Sequence, residues 1–142
     1  MEISDKLAIT AECRRLVFAY VFYVDHGDGA GLEALFAQDA SLERGELKLK
    51  GCAQIRQALS QRDPLLQTHH HCSTVHIDVH SPEQASGVTY FQLFRYRGAA
   101  TDGPSKPAVP TSAEVVGEYH DEFVKTPEGW RFQTRVTRAA FR

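Results

Sequence analysis

The feature that most constrains the fold is a series of four long segments in which apolar residues alternate with other residues. This period-2 pattern is typical of β-strands, since successive side chains of a strand point to opposite faces. Short turns containing proline separate two pairs of these segments, at 81–83 and 126–129. The stretch 98–112 contains two glycines and three prolines and predicts an exposed hairpin loop. The sequence therefore predicts an antiparallel arrangement of strands at 69–79, 85–96, 114–125 and 130–139.

Helical patterns occupy most of the sequence before these strands. Residues 4–25 carry apolar side chains at three- and four-residue spacing, and Gly27 is placed to end the helix. Shorter helices are predicted at 30–37 and 52–62, with a small hairpin of strands at 41–43 and 47–49 between them. Helices followed by antiparallel strands indicate an α+β fold, in which a strongly curved sheet encloses the helices and leaves a cavity.

Composition and charge narrow the class of protein. At 142 residues, with 42% hydrophobic and 24% charged residues, the chain fits one globular domain over 1–142. A net charge of −2 gives no reason to expect nucleic acid or a membrane surface as a partner. The three cysteines form no CxxC pair, and neither a signal peptide nor a membrane-spanning run is visible. We therefore expect a cytoplasmic protein.

Three consecutive histidines lie at the start of the first long strand. The apolar residues Val75, Ile77 and Val79 mark one buried face of this strand. Continuing the alternation backwards places His71 and His69 on that face and His70 on the opposite one, towards solvent. We therefore predict that His71 faces the interior, where it needs a polar partner.

The same phasing raises the question of a metal site. His69 and His71 would lie about 7 Å apart along one strand face, a spacing that can chelate a metal if a third ligand joins them. Asp25 is one candidate for that ligand. No tighter cluster of ligand residues accompanies the two histidines in the sequence. We therefore predict no metal.

Several short motifs, in order along nearly the whole chain, resemble those of SnoaL-like proteins of the nuclear transport factor 2-like superfamily. The motifs are YVFYVDHGD at 20–28, LEALFAQDA at 32–40, GCAQI at 51–55, GEYHDEF at 117–123 and GWRF at 129–132 followed by Arg135. The resemblance implies a cone-shaped sheet wrapped around N-terminal helices, the cystatin-like α+β barrel. It also implies a mostly apolar pocket at the open end of the cone.

The resemblance also implies site residues. Catalytic relatives such as scytalone dehydratase and hexachlorocyclohexane dehydrochlorinase pair an aspartate at the end of the first helix with a histidine on the long strand. These positions correspond to Asp25 and His71, and Arg135 corresponds to an arginine on the last strand of the dehydrochlorinase. Strand parity alone allows either His120 or its neighbours to face inward, and the resemblance favours the neighbours. The predicted pocket residues are Tyr20, Tyr23, His69, Tyr90, Tyr119 and Asp121.

Taken together, these features predict a lyase or isomerase that acts on a small hydrophobic molecule without a cofactor. Its histidine base would be oriented by Asp25, for dehydration, HX elimination or isomerisation. The alternative is a non-catalytic binding or assembly module that resembles the small subunit of ring-hydroxylating dioxygenases. We also expect a homodimer or homotrimer, since members of the superfamily associate through the open sheet face, where Phe91 and Leu93 are predicted to point outward.

Overall fold

The first structural layer is a set of three helices in the N-terminal half. We describe a computed structural model, which covers residues 1–98 and 112–142, so the predicted loop at 98–112 lies almost entirely outside the described residues. The helices are α1 (Ile3–His26), α2 (Gly29–Glu33) and α3 (Cys52–Ser60). Helix α1 ends at Gly27, whose φ of 69° lies in the left-handed region that favours glycine. No helix among the described residues has the length and apolar character needed to cross a membrane.

The second layer is a single mixed sheet of six strands in the described residues. The strands are β1 (Phe36–Arg44), β2 (Leu47–Lys50), β3 (Leu66–Ser81), β4 (Gln84–Arg97), β5 (Val115–Thr126) and β6 (Gly129–Phe141). Their order across the sheet is β2-β1-β6-β5-β4-β3, and neither β2 nor β3 has a second neighbour, so the sheet does not close. All neighbouring pairs are antiparallel except β1 and β6, which run parallel. The predicted α+β class is confirmed: α1 and α2 precede the curved sheet in the chain, and α3 lies between its strands β2 and β3.

The second helix is shorter than its sequence pattern predicted. Residues 34–37 were expected to continue it, but Phe36 already belongs to β1 and pairs with Phe132 of β6. The amide of Phe132 donates to the carbonyl of Leu35 at 2.9 Å. Pairing with β6 satisfies backbone groups that a second helical turn would have used, so tertiary contacts override the local helical pattern.

A β-bulge divides strand β3 into two halves. Cys72 lies opposite Phe91 and Val75 lies opposite Thr89, so three steps along β3 match two along β4. The extra residue reverses the inside–outside alternation, as expected for a β-bulge. The inward side chains are therefore Thr68, His70 and Cys72 before the bulge, and Val75, Ile77 and Val79 after it.

The core fills the concave side of the sheet against one face of α1. Six residues of that helix are buried: Ile9, Cys13, Leu16, Val17, Tyr20 and Val21. They meet aromatic side chains of the sheet, among them Phe123 and Phe132. Phe91 and Leu93 belong to this core, with 3% and 6% exposure, so the prediction that they point outward was wrong. Their strand turns the opposite set of alternating residues, including Tyr90, towards solvent.

Candidate functional site

A cavity of about 480 Å³ opens between the end of α1 and the concave face of the sheet. Its apolar wall is formed by Tyr20 of α1 together with Phe91, Leu93 and Tyr119 of β4 and β5. The ring of Phe91 stacks on that of Tyr119 with centroids 4.3 Å apart. Polar groups reach this space from β3 through Thr68 and His70. A cavity that combines apolar side chains with a few convergent polar groups is the usual form of a small-molecule site.

The polar side of the cavity is organised by a hydrogen-bonded pair of Asp25 and His70. The Nδ1 atom of His70 lies 2.6 Å from Oδ1 of Asp25, and the backbone N–H of His70 donates to Oδ2 at 2.8 Å. Both side chains are nearly buried, at 9% exposure for Asp25 and 10% for His70. Asp25 lies in the last turn of α1, so the end of the helix fixes its carboxylate against the first residues of β3.

The carboxylate of Asp25 has further support from Thr68. The hydroxyl of Thr68 donates to Oδ1 at 2.8 Å and itself accepts from a guanidinium nitrogen of Arg62 at 3.1 Å. Burial raises the pKa of Asp25, but the hydrogen bonds from His70 and Thr68 outweigh it, so the net pKa is below its usual value. Asp25 is therefore ionised at neutral pH.

This arrangement determines which nitrogen of His70 is available. An ionised carboxylate only accepts hydrogen bonds, so Nδ1 carries the proton that Asp25 accepts. The other ring nitrogen, Nε2, has no hydrogen-bond partner among the described residues. In a neutral imidazole it is then unprotonated, on a side chain that lines the cavity. His70 is thus held in the tautomer that a general base requires.

The predicted partner of Asp25, His71, lies on the other face of β3. Its side chain is exposed, and Nε2 lies 3.1 Å from Nδ1 of His69, which is exposed as well. The prediction that His71 faces inward and pairs with Asp25 was wrong, because the bulge after Cys72 reverses the phase that had been read from Val75 onward. His69 does not line the cavity either. The described residues contain no group of three or more histidine, cysteine or acidic side chains arranged to hold a metal ion.

A second buried carboxylate, that of Asp121, is paired with Arg135 deeper in the protein, between β5 and β6. Arg135 donates from Nε to Oδ1 of Asp121 at 2.7 Å and from Nη2 to Oδ2 at 2.8 Å. Both side chains are fully inaccessible to solvent. The two residues are direct cross-strand partners, which explains why this fork-on-carboxylate geometry forms. Among the described residues the remaining nitrogen, Nη1, has no hydrogen-bond partner.

Aromatic rings enclose this second pair. The guanidinium carbon of Arg135 lies 3.9 Å from the ring centroid of Tyr119, 4.3 Å from that of Tyr20 and 4.4 Å from that of Phe132. Burial lowers the pKa of Arg135, but the neighbouring Asp121 outweighs it and the net pKa is raised, so the guanidinium stays charged. Burial also raises the pKa of Asp121, an effect that Arg135 opposes. Arg135 faces inward, but it lies behind Tyr20 and Tyr119 and does not line the cavity.

The remaining predicted pocket residues divide between the cavity wall and the outside. Tyr20 and Tyr119 line the cavity, whereas Tyr90 is 48% exposed and points away from it. The ring of Tyr23 packs over Gly31, where a Cβ would lie only 2.7 Å from the ring. The prediction of Tyr90 and Tyr23 as pocket hydroxyls was wrong, the first because its strand parity turns it outward. His120 also faces away from the cavity, next to Glu118 at 2.9 Å.

Cys72 is the third inward side chain of the first half of β3. Burial raises the pKa of its thiol to about 11, and the nearby carboxylates of Asp121 and Asp25 add to that effect while Arg135 opposes it. A thiol of this kind is protonated at neutral pH and is a weak nucleophile. Acid–base chemistry by His70 is therefore favoured over covalent chemistry by Cys72.

Sequence reasoning missed Thr68, Arg62 and the role of His70. The available signal was the alternation of Thr68, His70 and Cys72, which matches a polar wall if the strand is phased from its first half. The alternation of these three residues is out of step with that of Val75, Ile77 and Val79. Both sets can face inward only if the strand contains one extra residue between them.

The sequence also matches a known protein family. The SnoaL-like domain model matches residues 5–136. No protein of curated function matches the sequence.

Solved structures share the fold over nearly the whole chain. A putative scytalone dehydratase from Novosphingobium aromaticivorans is similar with a TM-score of 0.80 and 20% identity, over 99% of this chain and 89% of that one. A hexachlorocyclohexane dehydrochlorinase of type 2 is similar with a TM-score of 0.80 and 15% identity, over 99% and 90%. A protein of unknown function with a cystatin-like fold from Nostoc punctiforme gives 0.73 and 18%, over 98% and 93%.

At these identities the likeness between structures shows the fold alone, whereas the family model matches the sequence itself over most of its length. The chain belongs to the SnoaL-like domain family.

Proposed function

We propose that this protein is a lyase or isomerase that acts on a small hydrophobic molecule, with His70 as the general base and Asp25 as the residue that orients it. The observation that carries the proposal is the 2.6 Å contact between Nδ1 of His70 and Asp25, which leaves Nε2 available on a side chain that lines the cavity. A structural histidine would also need a polar partner, so the feature that favours catalysis is the free Nε2 on a side chain that lines the cavity. The structural likeness to a putative dehydratase and a dehydrochlorinase supports the same reaction class.

The chemical step follows from that geometry. Nε2 of His70 takes a proton from a carbon of the substrate, and the electron pair of the broken C–H bond forms a new double bond. In an elimination the leaving group departs from the adjacent carbon with its bonding pair; in an isomerisation the imidazolium returns the proton to another carbon. Asp25 remains ionised throughout and stabilises the imidazolium through Nδ1.

Tyr20 and Tyr119 are proposed to assist as hydrogen-bond donors. Burial raises the pKa of Tyr20, and it raises that of Tyr119 well above the ordinary value, so both hydroxyls remain protonated. A protonated phenol in a cavity wall that excludes solvent can donate a hydrogen bond to a leaving oxygen or to a carbonyl oxygen that gains negative charge. The buried Arg135 then acts as a positioning residue, since its guanidinium packs against both rings.

The neighbouring histidines of β3 offer a matched test of the base. Proton NMR in heavy water can follow the exchange of carbon-bound protons in a panel of bicyclic aromatic ketones, such as tetralone. We expect His70→Gln to slow enzyme-dependent exchange by about 100-fold or more. His71→Gln changes an adjacent histidine on the outer face and should leave the rate unchanged. Equal effects of the two substitutions would contradict the proposal.

The alternative of a non-catalytic binding module makes a different prediction for the same experiment. A binding module would retain affinity for cavity ligands and show no exchange above the uncatalysed rate, with or without His70. The oriented tautomer of His70 favours catalysis, because binding alone does not require a free ring nitrogen. The expected homodimer or homotrimer remains a proposal, which light scattering of the purified protein checks.

A further inference from the structure

The charged side chains that line the cavity are all positive. Among the described residues, its lining includes three arginines, Arg44, Arg95 and Arg142, but no aspartate or glutamate. The carboxylate behind His70 belongs to Asp25 and is already engaged by three hydrogen bonds. A cavity walled by apolar side chains and lined by charges of one sign concentrates the field of those charges. The cavity therefore favours anions.

Arg44 and Arg95 approach the cavity from different parts of the sheet. Arg44 is the last residue of β1, and Arg95 lies near the end of β4. In the sheet β1 and β4 are separated by β6 and β5, so the two arginines flank the cavity from opposite sides. The positive charge of Arg44 also opposes the rise that burial causes in the pKa of Tyr20, which indicates that this charge acts on the cavity wall.

The existing partners of these arginines leave them available to a ligand. Arg95 contacts Glu114 at 3.4 Å, but both side chains are well exposed, at 37% and 50%. Exposed ion pairs of this kind contribute little free energy and exchange readily. Arg44 has no carboxylate within ion-pair distance among the described residues.

Strand register relates the anion position to the base. Arg95 lies opposite Thr68, and Leu93 lies opposite His70. Two residues of a strand span about 7 Å, so the backbone position of Arg95 is that far along the strand direction from the level of the base. A single ring can bridge such a separation, with its charged substituent near the arginines and a reacting carbon near Nε2.

We propose that the substrate of this cavity is an aromatic or alicyclic carboxylate, whose ring packs on Phe91, Leu93 and Tyr119 while its carboxylate lies between Arg44 and Arg95. The inference rests on the proposed function for the identity of the cavity as a substrate site. It adds the class of substrate, which the family assignment leaves open.

The test uses two ligands of the same shape and different charge. Calorimetric titration compares naphthoate, a carboxylate, with naphthamide, its neutral isostere. We expect naphthoate to bind about tenfold more tightly at low salt and to lose that advantage as the salt concentration rises. Arg44→Gln and Arg95→Gln should each weaken naphthoate binding about fivefold and leave naphthamide binding unchanged.

A control variant separates a local effect from a change in overall charge. Arg15→Gln removes an exposed arginine of α1 that pairs with Glu12 and does not line the cavity, so it should leave both affinities unchanged. Equal binding of the two ligands, binding of neither, or a loss that Arg15→Gln shares would overturn the proposal. Titration measures naphthoate binding and deuterium exchange measures proton transfer, so a failure of the proposed proton transfer remains distinguishable from a failure of this assignment.

Discussion

In the part of the chain that the structure describes, two buried carboxylates are paired, one with an arginine and one with a histidine, and the difference between the two pairs separates chemistry from scaffolding. Asp121 and Arg135 are sealed from solvent, joined by two hydrogen bonds and packed among aromatic rings. Asp25 and His70 lie at the edge of a cavity, and the partner of the carboxylate there is an imidazole, a side chain that can act as an acid or a base. An arginine stays charged, and here it holds the tyrosine rings of the cavity wall in place. A histidine in contact with a carboxylate can instead transfer a proton.

The largest expected effect is on the fully buried pair of Asp121 and Arg135. Arg135→Met leaves the carboxylate of Asp121 buried without its partner, and we expect the free energy of unfolding to fall by about 3–5 kcal/mol. Urea denaturation followed by circular dichroism measures the change. The double variant Arg135→Met with Asp121→Leu should recover most of the lost stability. A small loss in the single variant would show that water reaches this pair, and the comparison would then fail.

The cavity pair should respond to Asp25→Asn with a smaller loss of stability and a large loss of turnover. Removing hydrogen bonds to a charged carboxylate costs about 1.5–3 kcal/mol at neutral pH. An amide also does not enforce a proton on Nδ1 of His70, so proton transfer should slow by about 100-fold. Denaturation and the deuterium-exchange assay measure the two effects. Unchanged exchange in this variant would remove Asp25 from the proposed mechanism.

The same variant gives a pH dependence of definite sign. The folded-state pKa of Asp25 lies below the ordinary value of 3.8, so its ionised form stabilises the folded protein above that pH. As pH falls below 3.8 and through the folded-state pKa, this contribution is lost. The difference in unfolding free energy between wild type and Asp25→Asn should therefore shrink in acid. A difference that stays constant from neutral pH into acid would contradict the assignment.

The smallest expected effect concerns Thr68. Thr68→Val keeps the shape of the side chain and removes the hydroxyl between Arg62 and Asp25. We expect a loss of about 1 kcal/mol in unfolding free energy and a loss of a few-fold in exchange rate. Thr74→Val, on the same strand but exposed, is the matched control. Equal responses of the two variants would show that the hydroxyl of Thr68 does not support the pair.

Much of the fold could be predicted because its signals are local. The end of α1 follows from Gly27 and its left-handed conformation, and the four long strands follow from their alternation and turns. The position of Asp25 at the helix end was visible for the same reason. The second helix was predicted too long, since the pairing of Phe36 with Phe132 depends on a strand almost 100 residues away.

The sequence by itself determined that an aspartate ends the first helix, that histidines begin the first long strand, and that an arginine and an aspartate lie on two of the last strands. The tertiary structure decided which histidine meets the aspartate. A β-bulge exists only relative to the neighbouring strand, and the one opposite Thr89 reverses the facing of everything before it. Register likewise paired Arg135 with Asp121, and the guanidinium of Arg135 packs against the rings of Tyr20 and Tyr119. Side-chain partners depend on the register between neighbouring strands, and the sequence of one strand does not determine that register.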